Sequence, residues 1–170
     1  MLKLAKWITI MARFLAGVVG LVALMLLCYE VFARYFVPSA LPDWGTEIVI
    51  YLTVWALFLV SGELALNGGH VQADFVVDRL NSIWKYRLGL ISAFAGLAFS
   101  AVFLWYGYEV VAFAQMIGEE GESTLRFSMW IYYLSLPVGM ILQCIGYIAR
   151  ILSLSAEIED KQPLPANLSN

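Results

Sequence analysis

The sequence predicts an all-α integral membrane protein with four transmembrane helices, and three observations lead there. Hydrophobic residues make up 62% of the 170 residues and charged residues 14%, against about 45–50% and about 25% in soluble domains. Mean hydropathy is +0.80, so a soluble fold of this size could not hide its apolar surface. Four stretches are long and apolar enough for a bilayer core of about 30 Å, which needs roughly 20 helical residues. Short segments of alternating polarity, the mark of a membrane β-barrel, are not found.

The first span is expected over about 7–33, with Arg13 and Glu30 near its ends. Its basic start (Lys3, Lys6, Arg13) resembles a secretion signal. The apolar run is far longer than a signal's core and no small-x-small site follows it, so it reads as a retained span. The first connection, 34–47, carries Pro38 and Pro42, which turn the chain. A short interfacial helix is expected there, with Asp43 capping the next helix and Glu47 at its positive end. Tyr35 and Trp44 lie at the depth of an aromatic belt. They read as interfacial anchors or as part of a docking surface.

The second span is expected over about 48–66, and Asn67-Gly68-Gly69 supplies a stop. An amphipathic cytoplasmic helix should follow. Asp74, Asp78, Asn81 and Lys85 share one face; Val76, Leu80, Ile83, Trp84 and Arg87 share another. The third span is expected over about 88–117, with Gly89, Ser92, Ala93 and Gly96 as small residues that permit close helix approach. The fourth is expected over about 127–150. Residues 1–154 thus form one four-helix transmembrane domain, and 155–170 a polar tail containing Pro163 and Pro165.

Eight Lys and Arg flank the side that holds both termini, whereas Arg34 and Arg126 alone flank the other. The positive-inside rule then places both termini in the cytoplasm and the acidic Glu119, Glu120 and Glu122 outside. A net charge of −3 argues against nucleic acid as a partner, since binding it needs a clustered positive face. Membrane lipid is the surroundings the composition demands.

Residue counts exclude several chemistries. Cys28 and Cys144 stand alone within apolar runs, so no exchangeable thiol pair exists. His70 is the single histidine, too few for paired haem ligands or a zinc site. No P-loop motif is present. No catalytic residue, cofactor or metal site is expected. Glu30, Glu63 and Glu109 are the acids near or within spans, where acids are expensive and often functional. Each stands near a span end, and burial against a helix partner accounts for them as well as proton carriage does.

In combination, Arg34-Tyr35-Phe36, Pro42, Trp44, Glu47, Tyr51, Trp55, Gly62, Gly69-His70, Asp74, Arg79-Leu80, Trp130, Tyr133 and Leu136-Pro137-Val138-Gly139 resemble one family. It is the small membrane subunit (DctQ-like) of tripartite ATP-independent periplasmic (TRAP) transporters. Ser128 stands where the pattern has a proline. The resemblance implies a four-helix protein of the bacterial inner membrane that does not itself carry substrate. A large TRAP membrane subunit would bind substrate and couple uptake to sodium. A periplasmic substrate-binding protein would capture an organic acid. The small subunit would scaffold the first and help dock the second, with Arg34, Trp44, Glu47, Glu63, His70 and Asp74 as its partner interface. The alternative is an autonomous four-helix exporter with Glu63 or Glu30 as proton carrier. The biased loop charge and the lack of paired mid-membrane ions speak against it.

Overall fold

The computed structural model describes residues 2–37, 41–67 and 82–161. Within them the chain forms α1 (Leu2–Phe36), α2 (Gly45–Asn67), α3 (Ser82–Ile117), a single turn α4 (Met129–Tyr133) and α5 (Ser135–Lys161). Four segments are long and apolar enough to cross a membrane: Leu4–Phe36, Gly45–Asn67, Trp84–Ile117, and Met129–Ser155 across α4 and α5. The four-span architecture is therefore the one the composition demanded.

The helices pack in the order α1, α2, α5, α3. Central α2 and α5 each meet a helix on both sides, whereas α1 and α3 are the outer members. Leu4, Ala5 and Ile8 of α1 share a recess with Ile145, Ile148 and Leu152 of α5. The start of α1 and the last turns of α5 thus lie at one end of the bundle, here the terminus end. The opposite, loop end holds the connections α1–α2 and α3–α4.

Within lipid there is no water to drive helices together, so association depends on close packing. The α2–α5 contact shows how close. A methyl group at Gly62 would stand 2.7 Å from the Leu142 carbonyl oxygen, and one at Gly139 would stand 2.7 Å from Phe58 Cβ. One at Gly146 would overlap the Gly62 carbonyl. Ser61 Oγ crosses the seam to donate to the Gly139 carbonyl at 3.1 Å. Trp55 Nε1 donates to Ile131 O at 3.2 Å, which holds α4 to α2.

The outer helices use narrower seams. Thr9, Ala12, Ala16, Ala23, Glu30 and Ala33 are the buried positions of α1; their steps of three, four and seven residues make one stripe. On α3 the stripe is Ala93, Ser100, Gly107, Val111 and Ala114, with Gly96 beneath the Tyr147 ring. The small residues noted at Ala93 and Gly96 therefore do meet another helix. Buried hydroxyls bond back to their own helix: Thr9 Oγ1 to Ala5 O at 3.1 Å and Ser100 Oγ to Gly96 O at 2.7 Å. That satisfies them where no water can.

Three boundaries differ from expectation. The described part of the first connection, Val37 and Leu41–Trp44, is a turn, with Gly45 N–H reaching Pro42 O at 3.5 Å. The short interfacial helix expected there is not seen among the described residues. The fourth span begins not at Phe127 but with α4, and α5 follows after Leu134. Pro137 lacks the N–H that would bond Tyr133 O, which accounts for the break. At its other end α5 runs past Arg150 to Lys161. The amphipathic helix expected between spans two and three lies largely outside the described residues; its last part, from Ser82, is the start of α3.

The seam makes a contrast that can be measured. Gly146→Ala should lower stability by about 1–3 kcal/mol, the range for overpacking. Gly17→Ala, with nothing within 4 Å of the added methyl, should be neutral or slightly stabilising. Thermal unfolding in detergent, followed for both variants, checks the difference.

Candidate functional site

The loop end gathers the polar chemistry of the chain. Gly118, at φ 63, ends α3 in the left-handed conformation that glycine adopts freely. Glu119 N–H returns to Ala114 O at 3.1 Å. The connection then folds on itself: Gly121 N–H donates to Phe127 O at 2.8 Å, and Met129 N–H to Glu119 O at 3.0 Å. Arg126 takes a left-handed φ of 43 at the tip, where its N–H donates to Ser123 O at 3.0 Å. Its guanidinium pairs with Glu120 at 3.0 Å on the exposed side.

Two acids one helical turn apart fasten this loop to α2. Asp43 accepts the Thr124 N–H at 3.0 Å on Oδ2 and the Thr124 hydroxyl at 2.7 Å on Oδ1. It was expected to cap α2, but its main partner is the distant loop. The hydroxyl and N–H of Thr124 favour the ionised carboxyl, which holds Asp43 below its ordinary value of 3.8. Glu47 accepts the Tyr51 hydroxyl and lies so close to Gly121 that a methyl there would overlap its carboxylate. Tyr51 OH also lies 2.8 Å from Met129 Sδ, and Tyr133 OH donates to Glu119 at 3.1 Å.

A third acid ties α2 to α1. Glu30 is buried, and both of its oxygens lie 3.2 Å from Thr46 Oγ1. Gly45 leaves room for it: any side chain there would occupy the Glu30 carboxylate. The first turn of α2 is thereby held between α1 and the α3–α4 connection. Between the start of α2 and that connection opens a recess of about 550 Å³, lined by Asp43, Glu47, Glu119, Glu120 and Glu122. Among the described residues no three of His, Cys, Asp or Glu are grouped to hold a metal ion. The arrangement can bind structure together; it offers no nucleophile with an adjacent base.

At the terminus end, Glu63 accepts Arg13 Nη1 at 2.6 Å, joining α2 to α1 a second time. Sixteen residues of helix, about 24 Å, separate Glu47 from Glu63, so the two belong to different ends. Of the residues expected at a partner interface, Arg34 is exposed in the last turn of α1 and Trp44 is half-buried at the start of α2. Glu47 and Glu63 instead face partners within the chain. His70 and Asp74 lie outside the described residues. Sequence reasoning missed Thr124, Gly121 and Tyr51 as partners of the two acids. The run Gly121-Glu122-Ser123-Thr124, small and hydroxyl-bearing in a short connection, was the signal available.

Residues 23–157 match the family described as tripartite ATP-independent periplasmic transporters, DctQ component. The chain belongs to the DctQ family. That match runs from mid-α1 almost to the end of α5 and contains every tie at the loop end. Similar proteins include the C4-dicarboxylate TRAP transporter small permease protein DctQ of Rhodobacter capsulatus, 26% identical over 105 residues. That alignment covers 62% of this chain and 46% of the relative. A second is the uncharacterized protein y4mM of Sinorhizobium fredii, 27% identical over 140 residues, 79% of this chain and 25% of the relative. The aligned stretch thus spans less than half the length of the curated relatives it matches. The DctQ component is a part of a transporter and not an enzyme, and its four spans make this a multi-pass inner-membrane protein.

The Asp43 clasp has a definite pH sense. A carboxyl held below its ordinary value contributes stability above the unfolded value near 3.8, and that contribution is lost as pH falls through the lowered folded value. The loop around Thr124 should therefore stay closed at neutral pH and loosen below about pH 3.8. Asp43→Asn should loosen it at neutral pH. Hydrogen exchange of the 118–128 amides, corrected for its intrinsic pH dependence, reads both.

Proposed function

We propose that this chain is the small subunit of a sodium-coupled TRAP uptake system for organic acids. It scaffolds the large membrane subunit and helps dock the periplasmic substrate-binding protein. The observation that carries the reading is the family match across residues 23–157. The C4-dicarboxylate in the name of the Rhodobacter capsulatus relative supports a carboxylate as the substrate class.

The ties within the chain support a scaffold rather than a carrier. A proton or sodium site needs an acid free to exchange its partner. Glu63 is held by Arg13, and Glu30 is buried against Thr46. They stand at opposite ends of α2 and form no chain of relays. In this reading both termini are cytoplasmic, since eight of the ten Lys and Arg flank the terminus end. The loop-end recess then faces the periplasm. Arg34 at the end of α1 and Trp44 at the outer end of α2, with His70 and Asp74 past the inner end of α2, clamp these helices against the large subunit, while Glu47 holds the α3–α4 connection beside them. Residues 1–154 are the membrane domain and 155–170 a cytoplasmic tail.

Co-expression with the large subunit and the binding protein, followed by purification and uptake in proteoliposomes, tests the proposal. The chain should co-purify with the large subunit and show no transport alone; uptake by the chain alone would overturn it. Trp44→Ala and Asp74→Ala should each lower recovery of the complex while this chain stays inserted. Glu63→Gln should weaken assembly by leaving Arg13 without its counter-charge, a loss of about 3–5 kcal/mol where such a pair is fully buried and less at this half-exposed site. It should leave the sodium stoichiometry unchanged. A cysteine at Asn167 should resist periplasmic labelling in intact cells.

A further inference from the structure

Glu30, Glu47 and Glu63 each meet a partner elsewhere in the chain. Glu109 does not. It is exposed on α3, and its described hydrogen bond comes from Trp105 Nε1 at 3.1 Å, one turn earlier on the same helix. Its neighbours two positions away on either side, Gly107 and Val111, are buried, Gly107 against Leu136 and Pro137 of α5. At 100° per residue Glu109 therefore points directly away from the rest of the bundle.

Its depth follows from the packing. Gly107 and Val110 of α3 line one recess with Val54 and Phe58 of α2. Val54 lies about 14 Å inside the first residue of α2, and Glu109 stands about 12 Å before the end of α3, at 1.5 Å per residue. Helical side chains lean towards the N-terminus of their helix. For α3 that direction is towards the middle of the membrane, and the Trp105 N–H draws the carboxylate the same way. Glu109 is thus turned from the nearer interface, on a surface where hydrocarbon offers it no donor. Around it, Val102, Trp105, Tyr106, Phe113 and Met116 are all exposed and fall at helical spacing on the same face. The outer face of α1 differs about 17–23 Å before that helix ends: Leu21, Leu24 and Met25 are apolar and suited to lipid.

We propose that this face of α3 seats a transmembrane helix of the large membrane subunit, which presents a Lys or Arg side chain to Glu109. The inference rests on the reading of the chain as a transporter subunit and adds which helix makes the contact. A cation on a neighbouring helix supplies what lipid cannot, and the exposed aromatic residues around Glu109 exclude water from the pair.

The test is photo-crosslinking in membranes of cells that co-express the large subunit. Benzoylphenylalanine is placed at Val102 or Phe113 on α3 and at Leu21 or Met25 on α1. The α3 positions should crosslink to the large subunit and the α1 positions should not. Glu109→Lys should lower recovery of the large subunit about tenfold through like-charge repulsion, and Glu109→Gln by less. The amount of inserted chain is measured alongside; if Glu109→Lys does not insert, the crosslinks decide. Absence of α3 crosslinks overturns the proposal. If the large subunit still co-purifies, the subunit reading survives; if it does not, both fall. Full recovery with inserted Glu109→Lys overturns the charge pairing.

Discussion

Gly62 and Gly146 bring the backbones of α2 and α5 into direct contact, and the rest of the structure is built outward from that seam. A methyl group on Gly146 would occupy the Gly62 carbonyl, so the two helices are as close as their peptide groups allow. Lipid gives helices no hydrophobic reason to associate, which leaves dispersion and a few cross-helix hydrogen bonds. Both rise steeply as backbones approach. With α2 and α5 fixed, α1 adds to the free side of α2 and α3 to the free side of α5.

Carboxylates do the remaining joining at the ends of the helices, where some water remains. Glu30 and Thr46 lock α1 to the first turn of α2, and Asp43 and Thr124 lock the α3–α4 connection to the residues just before it. Arg13 and Glu63 repeat the device at the terminus end. Each tie satisfies an acid whose isolation near hydrocarbon would be costly. The start of α2 is therefore the least free part of the loop end, held from two sides in a chain whose outer helices are otherwise bordered by lipid or by a partner. A rigid outer end of this kind suits a part that positions other proteins.

The serial packing leaves α1 and α3 with a single narrow stripe each against the bundle. Their stripes are mostly small residues at steps of three, four and seven, whereas their outer faces carry Phe, Trp, Leu and Met. A bundle closed on itself would bury more of both. An open row of helices instead offers long flanks, and the only exposed acid on the outer flank of α3, among the described residues, is Glu109.

The sequence by itself determined the class, the number of spans, the disposition of the termini on one side and, through its motif order, the family. Apolar run length and proline placement are local properties, and a bilayer of fixed thickness turns them directly into topology. It also marked the acids that matter, because a carboxylate near a span stands out in a chain so poor in charge. What those acids bind was decided by the tertiary structure. Asp43 reads locally as a helix cap and Glu47 as a dipole partner, yet both reach a loop some 80 residues later in the chain, a pairing no spacing rule contains. Likewise the composition shows many Gly, Ala and Ser in the spans, but only packing separates Gly62 and Gly146, where backbones touch, from Gly17, which meets nothing. In lipid most residues of a span are apolar whichever way they face, so the contrast that reveals a buried face in water is weak, and three-dimensional contact assigns it.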